Sequence, residues 1–154
     1  MYQIEQAALE DAQELSELFV DYSRELEQYE MAYSLMEETV LPMLQSRIKS
    51  KLALVAVARQ EGKLAGFLLC NISRLSGYDY QGSALFGYIA DTFVKKEARG
   101  CGIAKALADY ALSWLKENEV KYVELKVLES NENAHSFWRK NGFSPTTRTY
   151  GKEI

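Results

Sequence analysis

Polar and apolar residues alternate from Tyr2 to Gln6 with the period of a half-buried strand. The period then changes. Ala12, Leu15, Leu18, Phe19, Tyr22 and Leu26 recur at helical spacing and predict an amphipathic helix running to about Glu27, with Asp11 and Glu14 spaced as a capping box at its start. Ser34 and Glu37 repeat that spacing before a second stripe of Met36, Val40, Met43, Leu44 and Ile48. Pro42 falls inside this stripe and lacks a backbone donor, so a kink or two short helices is expected there.

Lys51 to Arg59 is almost continuously apolar and β-branched at Val55 and Val57, which predicts a strand covered on both faces. Gln60 to Lys63 turns the chain, Leu64 to Arg74 returns as a partner strand, and the glycine- and aspartate-bearing Leu75 to Ser83 reads as a loop before a strand at Leu85 to Val94. A loop at Lys95 to Cys101 then leads to a helix from Gly102 to about Asn118. A strand at Val120 to Leu128, a helix at Asn131 to Lys140 and a last strand from Phe143 to about Tyr150 complete the pattern. These elements define a mixed α/β (α+β) layer fold without internal repeat or linker.

At 154 residues, 47% hydrophobic and 26% charged, the chain fills one core, so residues 1–154 are read as a single domain. A net charge of −4 disfavours nucleic acid as a partner, because phosphate neutralisation needs a basic face. The N-terminal residues carry neither a basic nor an apolar leader, and the longest apolar run, Leu52 to Ala58, falls far short of a bilayer span; no membrane partner is expected. Cys70, Cys101 and the sole histidine, His135, lack metal-ligand spacing. No metal is expected, and two free thiols suit a reducing cytoplasm.

The chemistry concentrates at Val94-Lys-Lys-Glu-Ala-Arg-Gly-Cys-Gly-Ile-Ala-Lys, where Arg99, Gly100 and Gly102 stand between a strand and a helix. The first amides of a helix have no intrahelical acceptor and the helix dipole is positive there, which suits a diphosphate. Gly100 and Gly102 let backbone approach phosphate oxygens, and Arg99 offers a charge-assisted contact. Two other glycine loops fail on the residues. The nucleoside-triphosphate loop needs Gly-Lys-Ser/Thr where this chain continues Gly102-Ile103-Ala104-Lys105, and the dinucleotide fingerprint needs a small residue where Lys105 stands.

Arg99, Gly102 and Ala104 fit the Arg/Gln-x-x-Gly-x-Gly/Ala signature, and with it the chain resembles the GCN5-related N-acetyltransferase family. The resemblance extends to Ile4 and Ala7 in the opening strand, Gly66 in the hairpin, the strand end Asp91-Thr-Phe-Val, and Asn133-Ala-His-Ser-Phe-Trp-Arg-Lys-Asn-Gly-Phe. It implies a mostly antiparallel sheet with helices on both faces and a splayed strand pair at the cofactor site. It also implies acetyl-coenzyme A as co-substrate: backbone at Phe93 and Val94 bonding the pantetheine arm, the amides of Arg99, Gly100, Cys101, Gly102, Ile103, Ala104 and Lys105 holding the pyrophosphate, Asn133 facing the pantetheine or acetyl end, and Phe137 packing close by.

The implied reaction is direct attack of a neutral amine on the thioester. Asp91 occupies the strand position where such enzymes often carry a carboxylate, and is assigned as base or amine orienter. Where the family often has a tyrosine acid this chain has Trp138, a poor proton donor, so Tyr88 and Tyr150 are the substitutes considered. Asp21, Glu25, Glu27, Glu30, Glu37 and Glu38 outnumber Arg24 in the segment that often builds the acceptor cleft. A small primary amine or polyamine is therefore the expected acceptor, and Tyr29, Tyr33, Tyr78 and Tyr80 are candidates for an aromatic slot. Alternatives are acetylation of protein lysines or N-termini, and a non-catalytic acyl-coenzyme-A-binding or regulatory module; a nicotinamide-dependent oxidoreductase is weaker. Such proteins often pair through late strands, so a homodimer is the assembly the resemblance suggests.

Overall fold

The computed structural model describes all of residues 1–154. Five strands form one sheet in the order β1-β2-β3-β4-β5: Gln3–Gln6, Ala53–Gln60, Lys63–Arg74, Leu85–Val94 and Val123–Leu125. The first four pair antiparallel, and β5 joins β4 in parallel. A parallel neighbour requires a crossover, which α3 (Ile103–Glu117) supplies. Helices α1 (Ala12–Leu26) and α2 (Val40–Lys49) cover the opposite face, and α4 (Glu132–Lys140) follows β5.

Strand β2 is buried on both sides, as its continuous apolar run predicts. Leu54, Ala56 and Ala58 pack with Leu107, Ala111 and Leu115 of α3, while Val55 and Val57 pack with Leu15, Phe19 and Leu44 of α1 and α2. Glu61 and Gly62, both at positive φ, form the two-residue turn into β3; that hand of turn matches the twist of the strands it joins.

Several expectations are corrected. No Asp11/Glu14 capping box forms. Asp11 Oδ2 accepts from the Ala8 amide, Asp11 Oδ1 from Arg59, and Glu14 Oε1 from the Leu64 amide; tertiary donors compete successfully with local ones. No Ser34/Glu37 box forms either: a 3-10 turn at Glu37–Thr39 leads into α2, and Met36 lies outside the stripe, 62% exposed. Pro42 falls in the first turn of α2, where no intrahelical donor is needed, so α2 is one unbroken helix. The strand expected over Val120 to Leu128 shrinks to three residues, and the strand expected from Phe143 to Tyr150 is absent: Gly142 to Ile154 has no partner strand and is mostly exposed. Pro145 lacks a ladder donor and Thr146 to Thr149 offers no apolar face to bury, so this segment does not pair with a sheet edge.

Candidate active site

Strand β4 carries an irregularity that decides which face Asp91 takes. Cys70 of β3 pairs with Ile89 and the next residue, Leu69, pairs with Asp91, so Ala90 is an extra residue in β4. A bulge of one residue exchanges the faces of everything beyond it. Ile89 lies on the α3 face. Asp91 follows it by two residues yet lies with Leu69 and Phe93 on the α1/α2 face. Pairing between β4 and β5 ends at Ile89 with Leu125, beside the bulge, and the chains separate beyond it. The gap is a cavity of about 110 Å³ lined by Ile89 to Thr92 on one side and Leu125 to Leu128 on the other, closed by Tyr22 and Leu26 of α1 and by Asn131, Ala134 and Trp138 at α4.

Asp91 is partly buried and accepts a hydrogen bond from the Tyr22 hydroxyl at 3.0 Å through Oδ1. Burial pushes its carboxyl above the usual range, against the opposing effects of the Tyr22 bond and the Arg47 charge. Tyr88 shares the α1/α2 face, opposite Asn71; burial, then Asp91, then Glu124 raise its hydroxyl, which therefore keeps its proton. Tyr22 was legible in the sequence only as a member of an apolar stripe. Its ring does pack among Phe19, Phe67 and Phe93 at 5.5 to 5.6 Å, but its hydroxyl reaches the site.

At the open end of β4 the loop runs through a 3-10 turn at Lys96–Ala98 into α3. Gly100 and Gly102 have φ of +85° and +88°, which glycine adopts without strain. None of the amides from Gly100 to Lys105 has an acceptor within the protein, whereas Ala106 already bonds to Gly102. A row of unspent donors at the head of a 15-residue helix fits a diphosphate. Ile103 has only its amide to offer a ligand, since its side chain is in the core; Cys101 and Lys105 point outward, and Lys105 pairs with Asp109 at 2.7 Å.

Other sequence candidates are redistributed. The Arg99 guanidinium is directed away from the loop amides, bonding the Val94 carbonyl at 2.9 Å and Glu25 at 2.7 Å. Phe93 and Val94 bury their side chains in opposite cores, leaving only backbone for a ligand. Asn133 is exposed and lines no part of the cavity; Asn131 does, and it caps α4 by accepting from the Ala134 amide at 3.2 Å. Both asparagines open the same helix, and its phase decides between them. Phe137 stands beside Trp138 at 4.8 Å and Trp138 forms the wall. Tyr150 is 87% exposed on the tail and does not line the cavity. The Thr92 hydroxyl is buried without a partner at the same gap.

The acidic segment is partly neutralised: Arg24 lies 3.7 and 3.8 Å from Asp21 and Glu37, and Glu25 is held by Arg99. Glu27, Glu30 and Glu38 have no cationic partner. Glu27 borders a second cavity, about 170 Å³, with Ser23, Met31, Tyr33, Ser34 and Leu35. Tyr80 instead stacks on Tyr122, just before β5, at the end of the sheet remote from the gap, so no single slot holds all four tyrosines. No group of three or more metal-ligating side chains is assembled, and no helix is long and apolar enough to cross a membrane.

A splayed β4–β5 pair, a bulge beside it and an amide-lined helix head are the features that the resemblance to acetyl-coenzyme-A-dependent transferases implies. The sequence comparisons agree. The acetyltransferase (GNAT) family model matches residues 10–143, so the chain belongs to the GNAT family and is an acetyl-coenzyme-A-dependent N-acetyltransferase. An uncharacterized N-acetyltransferase of Archaeoglobus fulgidus is 29% identical over 136 residues, 88% of each chain. N-alpha-acetyltransferase 30 of Schizosaccharomyces pombe is 37% identical over 71 residues, 46% of this chain and 47% of that one. The fold is shared with a predicted acetyltransferase of Clostridium acetobutylicum solved with acetyl-coenzyme A, with a TM-score of 0.82 at 16% identity, covering 99% of this chain and 96% of that one.

Proposed function

We propose that the acceptor is a small cationic primary amine, that the amides of Gly100 to Lys105 hold the cofactor diphosphate, and that Asp91 orients and deprotonates the amine. The observation that carries this reading is the bulge-directed Asp91 carboxylate beside the gap between β4 and β5. Acetyl-coenzyme A supplies an activated acyl carbon whose leaving group is a thiolate. The ammonium first releases one proton to solvent; the neutral amine then forms the new C–N bond as the C–S bond breaks, the second nitrogen proton passes to Asp91, and the departing thiolate takes a proton from Tyr88 or solvent. A carboxylate raised towards neutrality by burial is a stronger base than an exposed one. Tyr88, protonated and on the same face, is the nearer candidate to meet the thiolate; Tyr150 is set aside because of its exposure.

Glu27, Glu30 and Glu38 would draw a cation towards this end of α1. The Schizosaccharomyces pombe relative keeps a second reading in view, a protein α-amino group as acceptor. A panel of polyamines, small amines and peptides, followed by thiol release, separates the two. Asp91→Asn should lower kcat about a hundredfold or more with acetyl-coenzyme A affinity nearly unchanged. Unaltered turnover would remove Asp91 from the mechanism, and cofactor binding without turnover on any amine would favour a binding module.

A further inference from the structure

Tyr22 reaches Asp91 across 69 residues of sequence, and its hydroxyl is the only hydrogen-bond partner that carboxylate has in the protein. The ring is fixed on three sides: edge-on to Phe19 and Phe67 and tilted against Phe93, with centroids 5.5 to 5.6 Å away. Three aromatic neighbours define where the hydroxyl points. A leucine or phenylalanine would serve the packing of α1 as well, so the oxygen is what the fold does not need. Both Tyr22 and Asp91 line the cavity between β4 and β5.

We propose that Tyr22 is a positioning residue for Asp91: its hydroxyl holds Oδ1 and leaves Oδ2 turned to the acceptor amine. This rests on Asp91 being the base. The bond also favours the ionised carboxylate, so it counteracts the burial of the site. The other titratable or charged groups facing Asp91 are Tyr88 on its own strand, Arg47 from α2 and Lys126 on the segment after β5; α4 contributes only Asn131, Ala134 and Trp138 to the cavity. Of these, Arg47 acts in the same direction as Tyr22, through charge rather than contact. Burial first, and then Asp91, pushes the Tyr22 hydroxyl far above its ordinary range, so Tyr22 remains the donor across the working pH.

The test compares pH profiles of kcat and kcat/KM for the wild type, Tyr22→Phe and Asp91→Asn, with an amine that turns over. Thermal unfolding, acetyl-coenzyme A affinity and a carbon-13 titration of the Asp91 carboxyl accompany them. Tyr22→Phe keeps the ring and deletes one oxygen. Losing the bond raises the Asp91 pKa, so the acid limb and the NMR titration should both move to higher pH by about one unit, a tenfold change in proton affinity. At pH values on the acid limb the rate should fall accordingly, with cofactor affinity retained. A lower melting temperature with an unmoved limb and an unmoved carboxyl titration overturns the proposal and makes Tyr22 a packing residue. Should Asp91→Asn retain both rate and acid limb, the assignment of the base fails instead, whatever Tyr22→Phe does to the NMR titration.

Discussion

Arg99 and Glu25, 74 residues apart, meet in a 2.7 Å ion pair that ties the last turns of α1 to the loop after β4. The same guanidinium donates through Nε to the Val94 carbonyl and lies 5.6 Å from the centre of the Phe93 ring. Ser130, after β5, donates to the Tyr29 carbonyl just beyond α1. The C-terminal end of α1 is thus bonded to the chain on both sides of the gap. A side chain expected on phosphate serves to hold the strand ends in place.

Lysine cannot reproduce that fork, because its single ammonium lacks the planar donors that reach two acceptors at once. Arg99→Lys should cost about 1 kcal/mol, within the range for a partly exposed pair plus one carbonyl bond. Thermal unfolding checks the loss. Acetyl-coenzyme A titration should show affinity reduced less than in a variant that disturbs the loop backbone.

Gly102 supplies that comparison. Its φ of +88° is strained for any residue with a β-carbon, at about 1–2 kcal/mol, and a β-branched side chain adds bulk where phosphate would sit. Gly102→Val should lose stability and weaken acetyl-coenzyme A binding at least tenfold by calorimetry. A β-carbon would meet nothing within 4 Å at Gly100 and only the Tyr2 hydroxyl, at 3.5 Å, at Gly102, so the smaller Gly100→Ala should show the φ strain without a clash and with a smaller change in affinity than Gly102→Val.

Asp11 and Asp91 should give opposite pH dependences of stability. Burial raises the Asp11 carboxyl, but the Ala8 amide and Arg59 outweigh it and hold it below its ordinary 3.8. The stability it contributes is therefore complete above 3.8 and lost as pH falls through the lower folded value. Asp11→Asn should cost about 1–3 kcal/mol at neutral pH and little in strong acid. Asp91 is raised, so its ionisation lowers stability as pH climbs through the folded value; Asp91→Asn should be neutral to stabilising at pH 7, by up to roughly 1 kcal/mol. Denaturant titrations from pH 2 to 8 check both signs.

Thr92 presents a buried hydroxyl with no partner among the protein's own groups. Replacing it with an isosteric apolar group removes that unmet desolvation cost, so Thr92→Val should stabilise the ligand-free protein by about 1 kcal/mol. Unchanged or reduced stability in urea unfolding would mean that the hydroxyl finds a partner in solution.

The pattern of apolar positions was sufficient for α1 and α3, each a long stretch with one helical period, and for strands β2 to β4, each a long apolar run with a pairing neighbour close in sequence. The glycine loop was legible for a similar reason: helix-head amides and positive φ are local properties of Arg99 to Lys105. Short or edge elements were less so. Strands were expected at Val120 to Leu128 and Phe143 to Tyr150, yet only three residues of the first pair in the sheet and none of the second do.

The sequence by itself carried the resemblance to the GNAT family, and with it the expected cofactor class and the glycine loop proposed for its diphosphate, since those motifs are runs of contiguous residues. Tertiary structure alone decided the geometry of the candidate site. The extra residue at Ala90 is invisible until β4 pairs with β3, and without it Asp91 would face α3. Helical phase puts Asn131 rather than Asn133 on the cavity, and α1 docking turns an apolar-stripe tyrosine into a hydrogen-bond donor. Each of these depends on the direction of a side chain after packing, which is a property of contacts between distant segments and not of the segments themselves.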